Sequence, residues 1–204
     1  MSKKGPNLFL AFQISNPELI LNLRKVHFKC VEKENRLKDF IVPLETAHVS
    51  LDVFRVENGR LEEAKLILQD VFDQHIKTIE TDVEKIVTFK GLDMFGGSVL
   101  FAKPNTGNEY LQKIHKVFRK ALIDNKFEIH GYNTYNPHLT MFKVNASKDS
   151  GLREIPRAFL QVMEDFELGS QEVKQIQLLS IPKEKGSSGY YYCEDLYNLA
   201  EGKE

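Results

Sequence analysis

Two hydrophobic periods alternate along this chain, one of strand type and one of helix type. Residues 7–14 (NLFLAFQI) form a nearly unbroken aromatic and aliphatic run of strand length, which predicts a buried β-strand. Ser15-Asn16-Pro17-Glu18 then supplies a cap, a proline for the first turn and an early acid. Leu19, Leu23, Val26 and Cys30 follow at helical spacing, so a helix is predicted to about Val31. A strand is predicted over residues 47–56, then an Asn58-Gly59 turn and an amphipathic helix over 61–76. Residues 83–89 and 98–102 read as a strand pair, with 91–97 as the loop between them. Asn105-Thr106-Gly107 breaks the chain before a third helix, striped by Leu111, Ile114, Phe118, Ala121 and Leu122 and ending near Asn125. Asn136-Pro137 opens a strand over 138–144, and a weaker helix is predicted over 156–165. Residues 173–181 and 190–193 read as a closing hairpin around 185–189.

This order divides into two similar α+β units, each a helix followed by a strand that carries a histidine. The segments ETAHVSLDVFRV and YNPHLTMFKV align around that histidine and then drift. The expected fold is α+β: one domain over residues 1–204, made of two intertwined, pseudo-two-fold-related lobes. The two histidine strands are expected to face each other across one cleft. Residues 1–5 and 197–204 are expected to be flexible.

Side chains two apart on a strand share a face. His48 and Ser50 therefore project together, with Val49 and Leu51 behind them, and His138 and Thr140 repeat the arrangement before Leu139 and Met141. If the strands oppose each other, one cleft holds two imidazoles and two hydroxyls, a set suited to in-line displacement at phosphorus. A neutral imidazole takes a proton from the attacking oxygen and a protonated one gives a proton to the leaving oxygen. Ser50 and Thr140 donate to the non-bridging oxygens. The bland alternative is a pair of strand histidines bonded to nearby backbone. His27, His75, His115 and His130 lack a hydroxyl two residues on and read as surface or capping residues. Carboxylate and histidine clusters of two-metal type are missing, so neither a metal site nor a cofactor is predicted.

Charge narrows the choice of ligand. The net charge is -1, from 28 basic and 29 acidic residues, which disfavours a module coating long duplex nucleic acid. A single basic cleft for a mononucleotide or short oligoribonucleotide stays compatible with that balance. Cys30 and Cys193 form no CxxC pair, which predicts a reducing compartment. The first residues lack a signal-peptide pattern and no apolar run spans a bilayer, so an intracellular protein, cytoplasmic or nuclear, is expected.

The paired His-x-Ser/Thr strands resemble the two-histidine (2H) phosphoesterase superfamily, which includes bacterial RNA 2′,5′-ligase-like proteins and cyclic nucleotide phosphodiesterases. Within it, four stretches are most similar to the central domain of the A-kinase anchoring protein 7 (gamma/delta) group: PNLFLAFQISNPEL, GLDMFGGSVLFAKP, YNPHLTMFKV and GSSGYYYCED. The resemblance implies a bilobal α+β fold, two lobes of antiparallel sheet with helices packed outside and both motifs in a central cleft, and 5′-nucleotides or 2′,5′-linked oligoadenylates as ligands. It gives His48 and His138 the catalytic places and Ser50 and Thr140 the phosphate-binding places. The first motif has Ser where many relatives have Thr, which keeps the hydroxyl. Kinase anchoring is not expected to carry over, because in that family it needs an amphipathic helix beyond the domain.

Two functional classes lead. One is a metal-independent phosphodiesterase cleaving a 2′,5′-oligoadenylate or a 2′,3′-cyclic phosphate. The other is a non-catalytic AMP- or CMP-binding module of an anchoring protein. A third, a general RNA-binding domain, ranks last because the net charge is near zero and the aromatic pattern of an RNA-recognition motif is missing. Phe95, Tyr135, Tyr190 and Tyr192 are candidates to contact the base, with core or sheet packing as the alternative for each. The Lys183-Glu184-Lys185 run reads as a solvated turn in which a lysine could meet a phosphate.

Overall fold

The computed structural model describes residues 4–79, 85–145 and 151–199. Its strands join one antiparallel sheet in two halves. The first half is ordered β2 (His48–Arg55), β1 (Leu8–Gln13), β8 (Gln175–Ser180), β9 (Tyr192–Asn198). The second is ordered β6 (Leu139–Lys143), β4 (Val99–Pro104), β3 (Ile86–Phe95), β7 (Glu167–Glu172). They meet where β2 and β6 pair, in register at Val49 and Leu139. A two-residue strand, β5 (Glu128–Ile129), pairs with the far end of β2.

The repeated units are β1–α1–β2 and β4–α3–β6, with α1 at Pro17–Lys33 and α3 at Asn108–Asp124. In α1, Asn16 caps the helix by accepting from the Glu18 and Leu19 amides, Pro17 opens the first turn, and Lys33 sits in the last turn where the dipole favours a cation. Its buried stripe is Leu19, Leu23, Val26, His27 and Cys30. This helix crosses to the other half and packs on β7, whereas α3 crosses back and packs on β2. The remaining helices complete each cover: α2 (Leu61–Val71) lies against α3, and α4 (Ala158–Val162) against β3. Most buried apolar side chains form one core between sheet and helices. Phe9, Ala11, Leu179 and Tyr190 form a second cluster on the opposite face.

Both histidine strands carry a β-bulge at the same place. Leu10 and Ala11 of β1 pair with Asp52 and Ser50, skipping Leu51. Leu100 and Phe101 of β4 pair with Phe142 and Thr140, skipping Met141. Each bulge lies one residue beyond the hydroxyl, adding local twist and re-aiming the side chains next to it.

Several expectations change. β3 does not stop at Phe89 but runs through Gly91, which takes φ +67 at a register shift, to Phe95. A β-carbon at Gly91 would lie 2.6 Å from the Glu164 carbonyl oxygen. Only Gly96 and Gly97, both with positive φ, form the turn, closed by Ser98 N–H to Phe95 O at 3.0 Å. The start of that strand as expected, residues 83 and 84, lies outside the described residues. The second helix ends at Val71 and a wider π turn, Phe72–Ile76, completes it. The closing strand of the sheet extends to Asn198, so residues 197–199 of the end expected to be flexible belong to the fold, with the Tyr197 ring buried against Phe72 and Phe118. Residues 1–3 and 200–204 of the expected ends lie outside the described residues. No helix among the described residues is long and apolar enough to cross a membrane.

Candidate active site

The Val49–Leu139 pair fixes the site. Both side chains are buried in the core, so their strand neighbours turn to the opposite face. Continuing the register places His48 across from Thr140 and Ser50 across from His138. The two imidazoles thus lie on one diagonal of a four-residue cluster and the two hydroxyls on the other.

Both imidazoles are anchored in the same way. His48 Nδ1 lies 2.7 Å from the Thr46 carbonyl oxygen, and His138 Nδ1 lies 2.7 Å from the Asn136 carbonyl oxygen. A carbonyl only accepts, so each Nδ1 carries the hydrogen and each Nε2 is free to exchange a proton on the cleft side. In the neutral form, His48 Nε2 accepts from the Ser50 hydroxyl at 3.1 Å. The backbone bonds of the bland alternative are therefore present, and they orient the rings.

Aromatic rings wall each imidazole. Phe9 and Tyr191 stand 5.2 and 5.4 Å from the His48 ring, and Phe95 and Phe101 stand 5.0 and 5.4 Å from the His138 ring. Burial lowers the pKa of both histidines. For His48 the Thr46 bond opposes that shift, while the positive charges of His138 and Lys185 add to it. For His138 the Asn136 bond opposes it and Lys143 adds to it.

The aromatic candidates separate. Phe95 stays at the cleft, stacked on Phe101 and edge-on to His138. Tyr190 and Tyr192 do not share a cleft-facing side, because the strand begins only at Tyr192 and strand parity does not apply before it. Tyr190 is buried in the second apolar cluster, its hydroxyl on Gln177 Oε1 at 3.0 Å, and Tyr192 lies exposed beneath Lys183. Tyr191, between them, is the one beside His48.

Tyr135 is turned inward as well. Its hydroxyl donates to the Ser50 carbonyl at 3.0 Å, and its ring stacks on His115 at 4.3 Å and 13°. His115 in turn lies 3.9 Å from the Asp52 carboxylate, which Arg119 holds through two nitrogens at 2.5 and 2.7 Å. His27 is likewise buried rather than superficial, its Nε2–H on the Met141 carbonyl at 3.1 Å. Sequence reading missed both because an isolated histidine on a helix carries no mark of what faces it. Among the described residues no group of three or more His, Cys, Asp or Glu is placed to hold a metal ion.

Comparison with known proteins agrees with this architecture. The family model of the AKAP7 2′5′ RNA ligase-like domain matches residues 6–199. The human A-kinase anchor protein 7 isoform gamma is 24% identical over 203 residues, covering 96% of this chain and 58% of that protein. The chain thus spans little more than half the length of that relative. Among solved structures, E. coli LigT complexed with 3′-AMP has a TM-score of 0.62 at 13% identity, covering 97% of this chain and 100% of LigT. TT0787 of Thermus thermophilus has a TM-score of 0.61 at 17% identity, covering 95% of this chain and 97% of that one.

Proposed function

Since the chain belongs to the AKAP7 2′5′ RNA ligase-like domain family, within the 2H phosphoesterase superfamily, we propose that it is a phosphodiesterase of short RNA or nucleotide substrates. The favoured substrates are a 2′,5′-oligoadenylate or a 2′,3′-cyclic phosphate. The observation that carries the reading is the paired anchoring of His48 and His138, which leaves two Nε2 atoms facing one cleft beside two hydroxyls.

His48 acts as the base. The charge of a protonated His138 opposes a second proton on it, and its Nε2 already accepts a hydrogen bond. It takes the proton of the attacking oxygen, a neighbouring ribose hydroxyl or a water, as the new P–O bond forms. His138 holds the shared proton and gives it to the leaving oxygen as the old P–O bond breaks. Ser50 turns its hydroxyl from His48 to a non-bridging oxygen when substrate enters, and Thr140 serves the other. Phe95 and Tyr191 form the walls against which a base packs. LigT crystallised with 3′-AMP is a fold relative with a nucleotide bound, which fits a nucleotide ligand here.

The test is turnover of 2′,5′-linked triadenylate and of 2′,3′-cyclic AMP in the presence of EDTA, by the wild type and by His48→Ala and His138→Ala. Each variant is expected to lose about 10²–10⁴-fold in rate. Full activity in both variants would remove the catalytic assignment. Mononucleotide binding with no turnover of either substrate would replace it with the binding-module reading.

A further inference from the structure

The loop between β8 and β9 carries two lysines whose surroundings differ. Lys183 is committed: its Nζ lies 2.8 Å from Glu194 Oε1 and 4.3 Å from the centre of the Tyr192 ring. Lys185 has no ion-pair partner among the described residues. Its Nζ lies 5.0 Å from the centre of the Tyr191 ring, and that ring stands 5.4 Å from His48. The hairpin that presents it is closed by Gly186 N–H to Tyr190 O and Gly189 N–H to Gly186 O, both at 2.9 Å. It rests near Glu45, where a β-carbon on Gly189 would come within 3.3 Å of the Glu45 side chain. Glu45 immediately precedes Thr46, whose carbonyl anchors His48. Lys185 is therefore an exposed cation on a closed turn at the rim of the His48 end.

A cation without a counter-ion beside a histidine cleft raises the question of which anion it is there to meet. The phosphate between the imidazoles is already served by four side chains. We infer that Lys185 forms a second phosphate subsite at the His48 end of the cleft, so that the preferred ligand is a nucleotide with a further phosphate on the same nucleoside. The contact is a point-charge attraction that a rotating ammonium makes with any phosphate oxygen, so it selects for charge rather than for one linkage. Tyr191 packs against both the cation and the His48 ring.

This inference rests on the reading that the histidine cleft holds a phosphate, but not on turnover. The experiment is calorimetric titration of the full chain with adenosine 2′,5′-bisphosphate, 5′-AMP and 2′-AMP. Wild type, Lys185→Ala, Lys185→Arg and Lys183→Ala are compared. In the wild type the bisphosphate should bind about five-fold more tightly than the better monophosphate, the upper range for one solvent-facing ion pair. That gap should close to within about two-fold in Lys185→Ala and persist in Lys185→Arg and Lys183→Ala. A wild type without the gap, a gap that survives Lys185→Ala, or no binding of any of the three ligands overturns the subsite. Triadenylate turnover without the gap would sink this inference alone, whereas the gap without turnover would sink the catalytic reading and leave the subsite standing.

Discussion

The Tyr135 hydroxyl donates to the Ser50 carbonyl across 3.0 Å, and this bond adds a side-chain tie between the two histidine motifs to the Val49–Leu139 strand pairing. Tyr135 stands three residues before His138, and the carbonyl of the next residue, Asn136, anchors the His138 ring. One short segment therefore holds the backbone of the first motif and the imidazole of the second. Burial, with the Asp52 charge nearby, raises the Tyr135 pKa and keeps the phenol a donor. Tyr135→Phe should preserve the stack on His115 and lose the bond. Stability in urea is expected to fall by about 1–2 kcal/mol, with reduced triadenylate turnover. An unchanged denaturation midpoint and rate would show that the strut is dispensable.

Both histidines have lowered pKa values, which sets the direction of the pH–rate profile. A base of lowered pKa becomes neutral at lower pH, and an acid of lowered pKa loses its proton at lower pH. Both limbs of the bell therefore move the same way. The maximum of kcat/KM should fall below the ordinary imidazole value of about 6.5. A profile centred above neutrality would contradict the assignment.

His27 makes a separate prediction for folding. Its pKa is lowered by burial, partly offset by the bond to the Met141 carbonyl, so the folded chain resists a proton that the unfolded chain accepts. Its stabilising contribution is complete above about pH 6.5 and declines as the pH falls from there through the lowered folded value. Urea titrations should give lower stability at pH 5 than at pH 7.5. The difference should shrink in His27→Gln, and an equal pH loss in that variant would assign the effect elsewhere.

Asp52 is inaccessible in its side chain and is held by Arg119 through two nitrogens. Removing the guanidinium by Arg119→Met leaves a buried carboxylate without its cation, a loss of about 3–5 kcal/mol. The double variant Asp52→Asn with Arg119→Met should recover part of that. Gly131→Ala intrudes on the same pair, because its β-carbon would lie 2.6 Å from Arg119 Nη2 and 2.9 Å from Asp52 Oδ1. Thermal unfolding of the three variants checks the order, and a fully stable Arg119→Met would refute it.

Legibility in the sequence followed burial. β1 and the two histidine strands carry aromatic and aliphatic runs, and α1 and α3 carry long apolar stripes, so period alone located them. β7 was not legible: Glu167–Glu172 reads ELGSQE, and it becomes a strand because β3 offers it an edge and Gln171 folds inward to serve the Ser15 and Asn16 amides. Residues 91–95 carried loop signals because one glycine marks a bulge rather than a break. The motif histidines could be picked from spacing. Tyr191 could not, since its direction depends on where the hairpin ends and the strand begins.

The crossing of α1 and α3 bears on how the cleft handles a ligand. Each helix covers the half of the sheet opposite to the one that holds its own flanking strands, so separating the halves would uncover both covers at once. The two imidazoles accordingly sit in a vice of fixed gauge rather than in a hinged jaw. On the proposed reading, a ligand between them meets one opening width, and the elements that flank it at the rim are the β8–β9 hairpin on the His48 side and the glycine turn beyond Phe95 on the His138 side.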